Sequence, residues 1–273
     1  MTNIPKVSII LPSRNGNSEI IHALRSLNEQ SYSNIEVVVV DDASETPLKE
    51  TVSDCLTKVS YVYIRNTVNL GLAASLNIGI NSSSGCYVAR MDDDDFSLPH
   101  RIAKQVAFLE SHNYVDVLGT GVAFYDQNLR FIRNYVFPAD HESIVKSLCA
   151  RNPLAHPTVM MRRSFLQRSG GYDSALRRME DLELWGRMAK HSKYANMPDI
   201  LLRHRVRQSK VLSAVKPGII IRLRNGRLLG CFWKSLFWTF QYALIEVARH
   251  WGYRQRAFRP LVESSGPAPK FTD

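Results

Sequence analysis

Four carboxylates, at positions 92–95, stand side by side directly after the apolar run 86–90, and like charges this close repel one another. Bound Mg²⁺ or Mn²⁺ would offset the repulsion, because carboxylates two residues apart can approach one hard cation together. A cation held there can neutralise a diphosphate leaving group. An EF-hand is excluded because its loop glycine and closing glutamate are missing, and a DxDxT nucleophile motif is excluded because Phe96 follows Asp95.

Two other acidic pairs are candidates for binding a nucleoside or for general-base catalysis. Asp41 and Asp42 end the apolar run 35–40, where a carboxylate can accept hydrogen bonds from a nucleoside; an N-cap at Asp42 or Ser44 is the structural alternative. Glu180 and Asp181 open an amphipathic segment. One of them could act as a general base, and stabilisation of the first helical turn is the alternative.

Apolar runs and helical patterns alternate in the first half and predict the elements that position these acids. The runs 6–11 and 35–40 are apolar on both faces, which is typical of buried parallel strands, and the runs 59–64 and 86–90 predict two further strands. Helical spacing recurs between them at 20–27, 48–56 and 70–80. This rhythm predicts an α/β fold with a doubly wound, mostly parallel sheet, in which ligands bind outside the carboxyl ends of the strands. The acids at 41–42 and 92–95 follow two of those ends.

The second half is less regular. The patterns predict helices at 99–110, 164–168 and 180–190, strands at 115–118, 120–125, 131–136, 159–161, 194–197 and 200–206, and two basic helices after residue 209. The segment 69–80 contains Gly71 and Gly79 but neither GxGxxG nor GxxxxGK, so neither a dinucleotide fingerprint nor a P-loop is supported.

The motifs of the chain, taken together, resemble those of the glycosyltransferase family 2 enzymes with the GT-A fold. In the family's order they read VSIILPSRNG, VVVVDDAS, NLGLAASLNIGI, YVARMDDDD, PHRIAKQVAFLE, NPLAHPTVMMRRSFLQRSGGYD and MEDLELWGRMA, and the likeness covers roughly residues 5–208. It implies inverting transfer of a sugar from a nucleotide-sugar, a UDP-sugar above all, to an acceptor hydroxyl with the help of Mn²⁺ or Mg²⁺. It also implies a GT-A catalytic domain over 1–208, with a nucleotide-sugar-binding half (1–95) and an acceptor-binding half (96–208), and a basic, aromatic-rich helical extension over 209–273.

The resemblance assigns roles residue by residue. For the metal it implies Asp92 and Asp94, with Asp94 as the direct ligand, while Asp95 could replace either because the run leaves the register open by one residue. For the nucleotide-sugar, with Asp42 as the expected uridine or ribose partner, it implies Pro12, Ser13, Arg14, Asp41, Asp42, Asn69, Gly71, Arg90, Asp92 and Asp93.

The catalytic and acceptor positions follow in the same way. Asp181 matches the family's catalytic base, with Glu180 beside it; Trp185 is expected against the acceptor or donor sugar, and His156 near the acceptor. One departure concerns the row LLRHRVRQSKVLS, where His204 stands at the family's tyrosine position and Arg207 at its histidine position. An arginine grips a diphosphate with two hydrogen bonds, so Arg207, together with Lys210, is expected to stabilise the leaving group, and His204 is the second choice as a metal ligand.

The positive charge of the chain is concentrated at its end. Residues 201–273 hold 14 Lys/Arg and 3 Asp/Glu, whereas residues 1–200 hold 21 and 22. The near-neutral body argues against a nucleic-acid partner, and the basic, aromatic tail predicts either contact with an anionic membrane or packing on the core. Four widely spaced cysteines and the lack of a signal-peptide pattern predict a cytoplasmic protein with reduced thiols, peripheral at the inner face of the cell membrane if the tail binds lipid.

The expected acceptor is a glycan or a lipid-linked glycan, as in bacterial cell-surface polysaccharide synthesis. Two other functions stay open. A sugar-1-phosphate nucleotidylyltransferase would also use a metal and a nucleotide, but PSRNGNS lacks the glycine richness of its nucleotide loop. A non-catalytic glycan-binding module of the same fold is disfavoured because Asp92, Asp94 and Asp181 are all present.

Overall fold

A computed structural model describes residues 4–16, 18–206 and 212–250, with side chains for 4–16, 18–206 and 218–241. The strands are β1 (Val7–Ser13), β2 (Ile35–Asp41), β3 (Ser60–Arg65), β4 (Tyr87–Arg90), β5 (Phe96–Ser97), β6 (Val117–Tyr125), β7 (Phe131–Tyr135), β8 (Met160–Arg162) and β9 (Tyr194–Arg205). The helices are α1 (Ser18–Asn28), α2 (Lys49–Cys55), α3 (Leu72–Asn81), α4 (Arg101–Ser111), α5 (His141–Leu148), α6 (Arg163–Ser169), α7 (Glu180–Met188), α8 (Leu212–Leu228) and α9 (Phe232–His250).

One mixed sheet organises the described chain. Its strand order is β3-β2-β1-β4-β8-β6-β9-β5, and β7 pairs with β6. Strands β1 to β4 are mutually parallel, as are β6 and β9, whereas β8 runs antiparallel to both β4 and β6. The predicted α/β fold with a mostly parallel sheet is therefore confirmed, and the carboxyl ends of β1, β2 and β4 lie at one edge, as the positions of the acids require.

Hydrophobic clusters lie on both faces of the sheet. In β1, Ile9 and Leu11 pack into one cluster with α1, α2 and α4, whereas Ile10 points into the other with α3 and α7. Every residue of β1, β2 and β4 is buried, as their continuous apolar runs predict. Strand β3 differs, because it lies at the sheet edge and has several exposed residues.

The second half departs from the predicted elements in two ways. The pairs of strands expected at 115–125 and 194–206 are the single strands β6 and β9, which pair along their length with register shifts around Gly121. Helix α5 and a 3₁₀ turn at His156–Thr158 were not predicted.

None of the helices in the described part of the chain combines the length and apolar character needed to cross a bilayer.

Helix α8 packs on α7, and α9 packs on α8. A disulfide joins Cys149, just after α5, to Cys231, just before α9, with the two Cα atoms 6.7 Å apart. The expectation of wholly reduced thiols was therefore wrong for this pair; residues 82 positions apart meet here, and sequence spacing gives no sign of that contact. Cys55 and Cys86 carry free thiols.

The disulfide has a measurable consequence for stability. A bond across so long a loop restricts the unfolded chain, so Cys149→Ser is expected to lower the free energy of unfolding of the oxidised protein by about 2–4 kcal/mol. Urea denaturation with and without reductant measures this difference. Cys86→Ser is the matched control and should leave the midpoint unchanged; equal midpoints for wild type in both conditions would contradict the prediction.

Candidate active site

The structure sends the four carboxylates of the acidic run in different directions. Asp92 forms an ion pair with Arg90, and Asp93 accepts a 2.6 Å hydrogen bond from the Ser13 hydroxyl at the end of β1. Asp95 is buried; its Oδ2 lies 3.0 Å from His204 Nδ1, and its Oδ1 accepts a hydrogen bond from the Arg205 amide.

Two buried guanidinium groups lie beneath the acidic run and offset its charge. Arg90 is 3% exposed and Arg101 is fully buried, and Arg101 Nη2 donates a 2.7 Å hydrogen bond to the Arg90 carbonyl oxygen. Burial would lower the pKa of Arg90, but the Asp92 carboxylate raises it. Burial, together with the neighbouring Arg90 charge, lowers the pKa of Arg101 to about 9 against the pull of Asp95. Arg101 gave no functional signal in the sequence, where it is simply a cation in the first turn of a helix.

Three side chains of the described chain form a group that could hold a metal ion. One ligand atom from each of Asp92, Asp95 and His204 lies within 4.8 Å of the others. Asp94, which the resemblance favours as the direct ligand, is outside this group, but it lines a cavity of about 280 Å³ together with Asp95 and His204. Carboxylate oxygens are the ligands that Mg²⁺ and Mn²⁺ prefer, so the donor set fits the expected cofactor. The sequence suggested His204 only as a second choice, because it stands at the family's tyrosine position.

The Asp41 side chain stabilises the loop that follows β2. It accepts hydrogen bonds from the Ser44 and Leu48 amides and the Tyr63 hydroxyl, and it pairs with Arg65 at 3.3 Å. Burial would raise the pKa of Asp41, but these hydrogen bonds, led by those from Ser44 and Tyr63, lower it below its ordinary value. The carboxylate therefore stays charged and holds this loop in place.

Asp42 shapes the next loop. Its Oδ1 accepts hydrogen bonds from Asn66 Nδ2 and the Leu70 amide, and its Oδ2 accepts one from the Gly71 amide, all at 2.8 Å. Asn69 is exposed on this loop. Gly71 has φ = +89°, where glycine is favoured, and a Cβ there would lie 2.5 Å from Arg177 Nη1. Arg177 thus places a cation beside the predicted nucleotide loop, a contact that no local pattern in the sequence indicates.

Glu180 and Asp181 lie at the start of α7 and are largely buried. Asp181 Oδ2 accepts a 2.5 Å hydrogen bond from Asn152 Nδ2, and Oδ1 accepts one from the Leu182 amide. Burial, reinforced by the Asp181 charge, raises the pKa of Glu180 to about 7, and burial also raises the pKa of Asp181. The pKa of Glu180 thus lies near the pH at which a general base must work, and the pKa of Asp181 is shifted in the same direction.

His156 links this acidic pair to the core. Its Nε2 lies 2.9 Å from the Tyr172 hydroxyl, and its Nδ1 lies 3.7 Å from Glu180 Oε1 and 3.9 Å from Asp181 Oδ2. Burial and the nearby Arg90 charge hold the pKa of His156 well below its ordinary value, so the imidazole is neutral. The expectation for Trp185 was wrong: its ring is fully buried between Phe165, His156 and Tyr194 and has no surface left for a sugar.

The remaining predicted donor residues lie at the end of β1 or beyond the described segments. Pro12 and Ser13 are buried in β1, and Arg14 is exposed just after it. Arg207 and Lys210 lie outside the described residues. The structure therefore brings Ser13, Arg90, Asp92 and Asp93 together at one sheet edge, and electrostatic coupling joins Arg90 to the pair at 180–181.

Comparison with known proteins identifies the family to which this sequence belongs. The family model described as "Glycosyl transferase family 2" matches residues 8–170. The putative glycosyltransferase EpsE of Bacillus subtilis (strain 168) is 38% identical over 190 residues, which cover 68% of this chain and 67% of the relative. The amylovoran biosynthesis glycosyltransferase AmsE of Erwinia amylovora is 32% identical over 204 residues, 73% of this chain and 75% of the relative.

Solved structures share the fold at lower identity. TarS 1-349 of S. aureus in complex with UDP-GlcNAc superposes with a TM-score of 0.66 at 19% identity, over 85% of this chain and 72% of that one; this chain spans 43% of the longer TarS chain. The mannosyltransferase PcManGT of Pyrobaculum calidifontis in complex with GDP-Man and Mn²⁺ has a TM-score of 0.66 at 17% identity, over 93% of this chain and 77% of that one. These likenesses bear on the fold alone. The extent of the family match and the identity to EpsE show that the chain belongs to glycosyl transferase family 2 and is a glycosyltransferase.

Proposed function

We propose that this glycosyltransferase moves a sugar from a UDP-sugar to the hydroxyl of a glycan or lipid-linked glycan acceptor, with inversion, in the synthesis of a bacterial surface polysaccharide. One observation carries the proposal. Arg90, which is buried, is paired with Asp92 of the acidic run and coupled electrostatically to Glu180 and Asp181. The acidic run, which is to bind the donor diphosphate, and the candidate base thus share this cation.

The comparisons support the donor and the process by analogy. TarS binds UDP-GlcNAc, PcManGT binds GDP-Man with Mn²⁺, and AmsE is named for amylovoran biosynthesis. For this chain we assign the donor nucleoside to the loop that Asp42 holds, with Asn69 and Gly71, and to the end of β1 at Pro12, Ser13 and Arg14. Asp41 supports this pocket from below, because its oxygens already serve protein donors. Arg207, by its chemistry, would grip the diphosphate.

For the metal we assign Asp92, Asp94 and His204 as ligands and Asp95 as the residue that orients His204. Asp95 is 1% exposed and accepts hydrogen bonds from the Arg205 amide and from His204 Nδ1, and such a bond leaves His204 Nε2 for the ion. A Mn²⁺ or Mg²⁺ ion bound there would neutralise charge on the diphosphate.

The base step follows from the environment of Asp181. The hydrogen bond from Asn152 orients the carboxylate, and Asp181 takes the proton of the acceptor hydroxyl as that oxygen attacks the anomeric carbon from the face opposite the diphosphate. The bond to the diphosphate breaks in the same displacement. No covalent sugar–enzyme intermediate forms, so the configuration inverts.

A donor panel tests this proposal. Purified protein with Mn²⁺ is incubated with UDP-sugars and GDP-mannose, and release of nucleoside diphosphate, expected for a UDP-sugar, is measured together with the anomeric configuration of the product by NMR. Retention of configuration would contradict the displacement mechanism. Pyrophosphate release from a nucleoside triphosphate and a sugar 1-phosphate would instead support a nucleotidylyltransferase, and nucleotide binding without turnover on any donor would support a non-catalytic module.

The raised pKa of Glu180 makes the pH profile informative. Below about pH 7 the pair at 180–181 holds a proton, so kcat is expected to fall as the pH drops through that value. Glu180→Gln removes the neighbouring negative charge, which lowers the pKa of Asp181 and moves the acidic limb of the profile to lower pH. The profile is measured for wild type, Glu180→Gln and the exposed control Glu50→Gln. An acidic limb in Glu180→Gln that coincides with wild type would show that the two groups are not coupled.

A further inference from the structure

Helix α9 turns four large apolar side chains towards solvent. Trp233 is 78% exposed, Phe240 63%, Phe237 58% and Leu236 40%. Their positions follow the i, i+3, i+4, i+7 spacing, so they form one continuous stripe, called here the aromatic face. Single exposed apolar residues are ordinary on protein surfaces, but a contiguous stripe of this kind marks a binding surface.

The opposite side of α9 explains why the aromatic face points outward. Ser235 and Thr239 are buried against α8, and the Ser235 hydroxyl donates a hydrogen bond to the Arg222 carbonyl oxygen. A Cβ at Gly226 of α8 would collide with Ser235, so the two helices pack closely through small residues. The helix thus buries its small polar side and exposes its large apolar side, the reverse of the usual pattern.

Helices α8 and α9 form a helical hairpin, and several contacts fix the orientation of this hairpin relative to the rest of the described chain. In α8, Asn225 Nδ2 donates to the Leu182 carbonyl oxygen at 3.2 Å, and Arg222 Nε donates to the Ala150 carbonyl oxygen at 3.1 Å. The disulfide between Cys149 and Cys231 adds a covalent link at the start of α9. Helix α9 is therefore joined through α8 to α7, the helix that begins with Glu180.

Cations lie close to the aromatic face. Residues 212–241 contain five Lys/Arg and no Asp/Glu; of these, Arg222 is buried and Arg224 pairs with Glu183. Lys234 is exposed one residue after Trp233, and Arg227 is exposed with its guanidinium carbon 5.3 Å from the centre of the Phe232 ring. Aromatic rings and cations that share one exposed surface match the two layers of a membrane interface, apolar chains below and anionic headgroups above.

We propose that the aromatic face docks the enzyme on an anionic lipid surface. Charge complementarity favours lipid over the other occupants. A second copy would bring two basic hairpins together, and residues 251–273, with four Lys/Arg and two Asp/Glu, are also basic. The inference depends on the surface of α9 and not on the proposed reaction; if both hold, docking keeps the base helix α7 close to lipid-linked acceptors.

Vesicle flotation of the full chain tests the proposal. The lipids are phosphatidylcholine alone, or phosphatidylcholine with phosphatidylglycerol, and the expected result is binding to the anionic vesicles only. Each aromatic side chain that enters the interface should change the partition coefficient by about tenfold, so Phe240→Ser should weaken binding about tenfold and the combined Trp233→Ser, Phe237→Ser, Phe240→Ser variant by about 10²–10³-fold. Tyr114→Ser is the matched control, because Tyr114 is as exposed as Phe240 but lies after α4.

Several outcomes separate the alternatives. Equal flotation of wild type and the triple variant would overturn the proposal, as would equal binding to neutral and anionic vesicles. A wild-type dimer that the triple variant converts to monomer in sedimentation equilibrium, with no flotation, would assign the face to a second copy.

All substituted side chains are exposed, and circular dichroism checks that the variants are folded. Release of nucleoside diphosphate from a soluble donor should be unchanged in them, so loss of flotation with intact turnover distinguishes this proposal from the proposed function.

Discussion

Asp181→Asn is expected to lower kcat by about 10²–10⁴-fold, the range found when a positioned general base is removed. An asparagine is nearly isosteric, and its amide oxygen can keep one of the two hydrogen bonds that Asp181 accepts, from Asn152 or from the Leu182 amide, so the fold and the donor pocket should be preserved. The affinity for the nucleotide-sugar, measured by calorimetry in the presence of Mn²⁺, should therefore be nearly unchanged. The loss falls on kcat because the group acts on the acceptor proton and not on the donor.

Two further variants sharpen this test. Asn152→Ala leaves the carboxylate in place but removes the group that orients it, and kcat should fall by less than in Asp181→Asn. Asp173→Asn alters an exposed acid in the same region of the chain and should leave turnover as in wild type. Near-normal turnover in Asp181→Asn would remove Asp181 from the role of base, and a parallel loss of donor affinity would assign it to the donor pocket.

Asp94→Ala is expected to abolish the Mn²⁺-dependent part of nucleotide binding, because a ligand oxygen that bridges protein and ion is lost. Chelation of the metal with EDTA should have the same effect on the wild-type protein. Asp95→Asn should weaken metal binding by about 10–100-fold, the usual effect of removing the partner that orients a metal-bound histidine. The measurement is calorimetric titration with UDP, with and without Mn²⁺, for each variant.

The matched control in this series is Asp54→Ala, an exposed acid on α2. Unchanged UDP affinity of Asp94→Ala in the presence of Mn²⁺ would contradict its assignment as a ligand. If Asp95→Asn eliminated metal binding while Asp94→Ala did not, the ion would lie within the group formed by Asp92, Asp95 and His204 themselves. Thermal unfolding curves of Asp95→Asn are needed beside the titration, since this carboxylate is buried.

Much of the first half could be predicted from the sequence because its determinants are local. Continuous apolar runs ending at acidic residues specify buried strands whose carboxyl ends bear polar groups, and the strands β1, β2 and β4 lie where those runs stand. The order of the motifs was enough to identify the family. The acids at 92–95 and 180–181 could be found because their positions within those motifs are read directly from the sequence. The exposure of strand β3 could not be predicted in this way, because its neighbours in the sheet, and not its composition, determine whether both of its faces are covered.

The sequence by itself determined the family, the parallel sheet and the acids available for chemistry, since these depend on residue types and periods along the chain. Only the tertiary structure decided their relationships: that Arg90 and Arg101 lie buried beneath the acidic run, that His204 meets Asp95 across 109 positions, and that Trp185 belongs to the core. It also decided that α9 faces outward with its aromatic side and that Cys149 meets Cys231. The physical reason is that each of these features is a contact between distant segments, and the burial that such contacts create shifts pKa values and exposes or hides side chains in ways that no local pattern records.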